Sequence, residues 1–498
     1  MDFDLLRMPR LAGAPPTTHP RRHPRLASLG ALGVTFSLAL AACSGSGGSQ
    51  APGASTSGGG GAATSSDAGA GASGGTGAGA SGGTGAGASG GTAFQPPATK
   101  VSLRLWNGLT GPDGEAFNKI VDDFNKETPN VQVTVETQPG AEFQQRLEAA
   151  ASANQVPQII VMGYDMIAQN AVTQIIQPID DFVQQSGLSG DDFSAETWNA
   201  GQWQGKRYGV PVDAHTLSFF WNKKIFRDAG LDPEKPPTDK ASFEAALQAI
   251  NSKTSNPGYM VVGSGGGANF LQGLVFATLF YQGGGQWTNQ DFSQATYNSE
   301  AGVQAADYLA HLVKDLKAPV VESDSEINAF KQGKNGMLFA GIWETSANSK
   351  ALGKDLGVGV IPKIFGPGVW AGSHNATVAA GVQGDEKVGA YYFIDWFNKH
   401  SLEFANGGQI PAAKSVRDQL TSSNDGLLPL IAKIAPEFSD AKFLPAIPGG
   451  GDLLFLENGA GEAAVKVVNG KQDAKGALDA SANYFTQVLQ ENKQKYGY

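Results

Sequence analysis

The chain holds several groups that could carry chemistry, and each demands a setting. Gly71-Ala72-Ser73-Gly74-Gly75 fits the Gly-x-Ser-x-Gly pattern of a nucleophilic serine. That serine works only on a sharp turn between a strand and a helix. The surrounding run of Gly, Ala, Ser and Thr supplies neither, so the match carries no catalysis. Gly263 to Ala268 (GSGGGA) fits a dinucleotide fingerprint after a strand. The acid expected about 20 residues on should end a second strand. GGGQWTNQD stands there and reads as a loop. The histidines His215, His311, His374 and His400 are far apart, and no two share a helix face, so the sequence offers no metal site. The sole cysteine, Cys43, can form no internal disulfide. A flexible run follows it, so no pocket can activate its thiol.

What remains is a set of aromatic and polar residues at the ends of expected strands. Trp106-Asn107 follows the first strand and Tyr164-Asp165 the third. Asp213 and His215 follow a break at Pro211, and Asn269-Phe270 opens a helix. Trp343-Glu344 ends the strand Met337–Ala340. Trp370, His374 and Asn375 lie in the loop WAGSHN, and Phe455 comes late in the chain.

The elements that must position these residues can be read in order. Arg7, Arg10, Arg21, Arg22 and Arg25 precede an uncharged, mostly apolar run, Leu26 to Ala42. Basic, apolar, then small residues is the order of a secretory signal. His23-Pro24 after Arg21-Arg22 argues against twin-arginine export. Residues 43–98 are low-complexity, with GAGASGGT three times in succession from Gly69. Such sequence buries nothing and makes a flexible tether. Globular composition begins near Thr99, and some 400 residues predict two lobes. Val101–Leu105, Asn130–Glu136 and Gln158–Val161 read as strands. Asp113–Glu127 and Glu142–Ala153 between them read as helices. That alternation predicts α/β architecture with parallel strands. Helices are expected at Glu300–Lys314, Glu386–Asn398 and Ala474–Glu491.

The formal charge is −10. Removing residues 1–42 takes away five arginines and two aspartates and leaves 31 basic and 44 acidic groups. No basic run survives, which argues against nucleic-acid binding.

The most specific stretch is Gln202 to Asp239. Lys206–Val210 and Leu217–Trp221 read as strands, with Pro211 breaking the ladder between them; Gly205, Tyr208 and Pro211 mark the first, and Trp221-Asn222-Lys223 ends the second. Phe226, Ala229-Gly230-Leu231 and Pro236-Pro237 follow. This order resembles the extracellular solute-binding proteins of carbohydrate ABC transporters, the maltose-binding-protein family. Val156–Phe182, Phe330–Glu344 and Gly407–Val416 resemble further segments of that family, in order. Leu40-Ala41-Ala42-Cys43 resembles a lipobox. The chain departs from the family pattern at Trp221, usually Tyr, at Asp239 after Thr238, usually Trp, and at Gln158, usually an acid.

The resemblance implies cleavage before Cys43 and acyl chains on it, anchoring the protein to the outer face of the cell membrane. It implies a periplasmic-binding-protein-like α/β fold, two lobes that close on ligand by hinge bending. The first lobe would be residues 99–210 and 376–436, the second 214–370 and 444–498. Hinges would lie near 211–213, 371–375 and 440–443. It implies no enzyme activity, no cofactor and a monomer that delivers a di- or oligosaccharide to ABC permease subunits. Sugar hydroxyls want carboxylates, amides and other planar partners, and sugar C–H faces want flat rings. Trp106, Asn107, Tyr164, Asp165, Asp213, His215, Asn269, Phe270, Trp343, Glu344, Trp370, His374, Asn375 and Phe455 are the expected contacts, Trp343 stacking as in the family. Within the binding-protein class the alternative ligand is a polyol or a glycerol phosphate ester; a phosphate would want an Arg or Lys cluster, which these loops lack. A secreted glycoside hydrolase is the other reading, with Asp165, Asp213 or Glu344 as its carboxylate pair.

Overall fold

The computed structural model describes residues 94–138, 142–422, 424 and 426–498. Cys43, the signal segment and nearly all of the tether lie outside the described residues. No described helix is long and apolar enough to cross a membrane.

The first sheet runs Val131–Thr137, Val101–Asn107, Ile159–Gly163, His374–Val378, Gly209–Pro211. Its first three strands are parallel, with Val101 opposite Val131 and Leu105 opposite Ile159. Each crossover is a helix, as parallel neighbours require. Helix Pro112–Glu127 begins with Pro, carries Asp113 and Glu115 in its first turn and Lys126 in its last. These choices suit the helix start and the helix dipole. Its buried stripe is Phe117, Ile120, Val121 and Phe124, the spacing that predicts the helix.

The second sheet is built on Asp213–Asn222, ten residues all buried. Met337–Gly341, Leu356–Gly359, Val369–Gly372 and Ile410–Pro411 pair with this strand, and Ala441–Lys442 extends the sheet beyond Val369–Gly372. The sequence places strands at Lys206–Val210 and Leu217–Trp221 with Pro211 between them. In the structure Gly209–Pro211 belongs to the first sheet and Asp213 opens the second. The chain thus changes sheet at Val212, whose N–H bonds the His374 carbonyl. It changes back at Ser373, between Gly372 of the second sheet and His374 of the first.

Within the segment 376–436 that the sequence groups with the first lobe, Ile410, Leu420, Leu428, Ile431 and Ile434 bury together with Phe220, Phe330, Leu338, Leu356 and Val358 of the second sheet region. The turn at Gly408, φ 94°, redirects the chain. Ile410–Pro411 then pairs with Ala214 and Asp213. The apolar spacing of Leu428–Ile434 shows a buried face but not which sheet it covers.

Behind the second sheet, Glu326 is 4% exposed and one carboxylate oxygen has no partner. It lines a cavity of about 20 Å³ with Gln272, whose amide nitrogen is also unpartnered. Burial, with Asp324 and Glu344 nearby, pushes Glu326 up to about 7. The folded state then holds more protons than the unfolded chain from about pH 4.5 to 7, so this group's contribution to stability falls as pH rises through that window. Glu326→Gln is expected to leave stability at pH 4 nearly unchanged and raise it at pH 8 by on the order of 1–3 kcal/mol. Urea unfolding at the two pH values checks this.

Candidate functional site

The carboxylate of Asp213 is fully buried where the chain changes sheet. The His374 main-chain N–H donates to Oδ1 at 2.6 Å, and the His374 ring Nδ1 bonds Oδ2 at 2.7 Å. His215 Nδ1 lies 3.5 Å from Oδ1, long for a hydrogen bond, and finds no other partner. Burial works against the charge, yet His374 and His215 outweigh it and hold Asp213 well below the ordinary carboxylate value. Burial likewise opposes charge on His374, but Asp213, Asp113 and Asp165 raise it. The expectation that the histidines lie apart is corrected here: the His215 and His374 rings are 4.8 Å apart. Asp213, His215 and His374 bring one possible metal ligand atom each within 4.8 Å. Both Asp213 oxygens already hold His374, so the trio reads as an internal hydrogen-bonded anchor.

From this anchor a line of rings runs along the second sheet. His215 meets Trp343 edge-on at 5.9 Å and Trp370 at 5.8 Å. Trp370 meets Phe455 at 6.4 Å, and Phe455 meets Phe270 at 5.1 Å. Each comes from a different element: Asp213–Asn222, the turn after Met337–Gly341, Val369–Gly372, the short helix Asp452–Phe455, and the helix Ala268–Gln282. Trp370 is buried with an unpartnered indole N–H, whereas Trp343 is half-buried and Phe270 exposed. The Trp343 ring folds over Gly341, where an added Cβ would lie 2.1 Å from Cζ2. Gly341→Ala is therefore expected to turn the ring away and change its near-ultraviolet circular dichroism while the far-ultraviolet spectrum stays.

Residues of the first sheet face this line. Tyr164 is buried, its hydroxyl accepts the Leu444 N–H at 2.8 Å, and it packs edge-on against Phe443 at 4.7 Å. Asp165, next along, lies against Gly451, where an added Cβ would sit 2.5 Å from Oδ2. Burial raises Asp165, with His374 and His215 opposing.

The sequence reading missed three residues. Asp452 follows Gly449-Gly450-Gly451, and burial, then Asp165, push it up to about 6. It stands three residues before Phe455, a spacing that shares a helix face. Asp113 caps the start of helix Pro112–Glu127 by accepting the Gly111 and Gly114 N–H groups. The Gln409 amide donates to its other oxygen at 3.3 Å.

Five other expected contacts are engaged in local packing or pairing. Trp106 pairs across strands with Glu136, and its indole N–H donates to that carboxylate at 2.8 Å beside Arg104. Asn107 is fully buried and accepts the Leu109 N–H in the turn. Asn375 points to the face opposite His374, as alternation dictates, and packs on Gly209 and Gly201. Glu344 is paired with Lys331 at 3.2 Å. Asn269 adjoins Phe270, with its carbonyl against Gly461.

The sequence pattern described as bacterial extracellular solute-binding protein matches residues 107–401, more than half of the chain. The chain belongs to that family. Members are binding proteins rather than enzymes, and the expected fold and family are both met. Among relatives of this solute-binding protein, the maltotriose-binding protein of Pyrococcus abyssi is 22% identical over 69% of this chain and 73% of its own. The diacetylchitobiose binding protein DasA of Streptomyces coelicolor is 25% identical over 78% of this chain and 90% of its own. Among solved structures, the GacH receptor of Streptomyces glaucescens superposes with TM-score 0.69 at 23% identity, covering 79% of this chain and 99% of that one.

Proposed function

We propose that this solute-binding protein captures an oligosaccharide outside the cytoplasm and delivers it to an ABC importer. The observation that carries the reading is the line of rings from Trp343 to Phe270, bordered by Asp165, Asp452 and His374. Flat apolar faces beside a few polar groups suit a carbohydrate. The relatives named for maltotriose and diacetylchitobiose support the same class.

The two sheets are the cores of two lobes, hinged where the chain changes sheet at Val212 and Ser373, and ligand sits between them. Cys43 carries the lipid anchor and residues 43–98 are its tether, with acyl chains of roughly 0.8 kcal/mol per buried CH₂ holding it at the membrane. The protein acts as a monomer toward its permease. A phosphate ester is disfavoured, because carboxylates border the rings, Asp165 and Asp452 among them, and no salt bridge to a Lys or Arg reaches either among the described residues. Hydrolysis is disfavoured too, because Asp213 is held by His374 and Glu344 by Lys331.

The test is thermal unfolding of the full chain against neutral di- and oligosaccharides. A cognate sugar at 100 times its dissociation constant should add about 2.7 kcal/mol and be recovered intact. A panel without any shift, or release of monosaccharide, would overturn the reading.

A further inference from the structure

The two sheet regions are also joined by side chains, apart from the chain's own crossings. On one side stands the hairpin Gln202–Trp203 and Lys206–Arg207. Gln204, φ 47°, and Gly205, φ 75°, make its turn, and positive φ at both positions is what so tight a hairpin requires. The hairpin is rooted in the first region. The Ile179 N–H donates to the Arg207 carbonyl at 2.7 Å, and the Tyr208 and Gly209 N–H groups both donate to the Gly201 carbonyl. Gly209 then opens the edge strand of the first sheet.

On the other side stands helix Ala474–Tyr496, capped by Gly497 at φ 71°. It is rooted in the second region. Ser481 bonds the Tyr297 hydroxyl at 2.7 Å, Asn298 donates to Asp479 at 2.7 Å, and the helix packs on helix Glu300–Lys314. That helix packs in turn on Ala268–Gln282, whose Thr278 accepts the Trp370 N–H at 3.2 Å.

Tyr498 follows the cap and spans the two regions. Its ring meets Trp203 edge-on at 5.4 Å and Phe292 at 6.5 Å. The Gln204 amide donates to the Gly497 carbonyl at 3.3 Å. Trp203 is only 8% exposed, although its hairpin lies outside both large sheets. The Tyr498 hydroxyl is buried without a partner. A buried phenol ordinarily finds one, so the ring and not the hydroxyl is what this position uses. The same helix reaches the ligand site. Asn492 donates to the Pro448 carbonyl at 3.1 Å, and just beyond Pro448 comes Gly451, which lies against Asp165, and then Phe455 of the ring line.

We propose that Tyr498 is a positioning residue for ligand binding: a strap whose ring, seated between Trp203 and Phe292, holds the two lobes at the spacing in which Asp165 lies against Gly451. It touches no ligand. The strap rests on the two-lobe reading above and not on which sugar is bound. An edge-on aromatic pair shifts an equilibrium by about two- to tenfold, which biases lobe closure without preventing opening.

The test uses the full chain with Cys43→Ser and spin labels on Asp122→Cys and Asp307→Cys, exposed positions on helices Pro112–Glu127 and Glu300–Lys314. Pulsed electron paramagnetic resonance of the sugar-free parent should give one dominant distance. Tyr498→Ala should broaden it toward longer distances. Tyr498→Phe should match the parent, because the hydroxyl has no partner. Identical distributions for the parent and Tyr498→Ala would overturn the strap, and so would a Phe variant that behaves like Ala. The second readout is release of the neutral sugar with the largest shift in the thermal panel. Release from Tyr498→Ala should be about three- to tenfold faster with association unchanged, and Tyr498→Phe should restore the parent rate. Equal release from Ala variant and parent would remove Tyr498 from ligand binding. A panel without any shift would overturn the carbohydrate reading, and the distance distributions would still decide the strap.

Discussion

Trp343→Ala is expected to weaken ligand binding by about 2–4 kcal/mol, the range of a buried aromatic anchor. At 1.36 kcal/mol per decade this is roughly 30- to 1000-fold in the dissociation constant. The half-buried ring offers a flat face, with Gly341 beneath it and His215 edge-on beside it. An aromatic side chain carries ~150–250 Å² of surface, and truncation would leave the sugar's apolar face against water. Trp343→Phe keeps a face and should lose much less. Trp198 is the control, because its indole stacks under Arg207 at 3.4 Å, away from the ring line. Trp198→Phe should leave affinity unaltered. Titration calorimetry checks all three variants, and a Trp343→Ala constant within threefold of the parent would remove Trp343 from the site.

Asp213→Asn should have the largest effect on stability, a loss of about 3–5 kcal/mol, because breaking a buried charged pair strands the partner. The carboxylate is wholly buried and takes both the main-chain and ring N–H of His374. The Asp213 carbonyl also accepts the Ser373 hydroxyl at 2.8 Å. These bonds tie the two points where the chain changes sheet. An asparagine of the same shape turns one acceptor into a donor facing a donor. Denaturant unfolding should show a lower midpoint with the same slope. A double-mutant cycle with His374→Ala should return coupling above about 1 kcal/mol. A change below 1 kcal/mol in the single variant would mean the anchor is not structural.

Much of this protein is legible in its sequence because periodicity is local. The alternation in Val101–Asn107 and the helical stripe Phe117, Ile120, Val121, Phe124 each identify an element. Register is not local, and it separates Trp106 from Trp343. The sequence puts each at the end of a strand, but Trp106 lies within Val101–Asn107 and faces Glu136 across the sheet, a pairing that exists only once the two strands are aligned. Alternation alone could have divided His374 from Asn375, since neighbours in a strand face opposite ways. The nearness of His215 and His374 comes from the pairing of His215 with Gly372, two residues before His374 and far away in the chain, and leaves no mark in either segment. Asp452 was within reach: its spacing to Phe455 puts the two on one helix face.

The most direct measurement is a crystal structure of the protein with the sugar that gives the largest thermal shift. A sugar ring should lie on the Trp343 face, with further units along Trp370, Phe455 and Phe270 and hydroxyl groups within hydrogen-bond distance of Asp165 or Asp452. A cavity of about 490 Å³ is lined by none of these rings but by Glu115, Lys119, Ser346, Lys350, Glu403 and Asn406 among others. Sugar density there, with the ring line empty, would contradict the account.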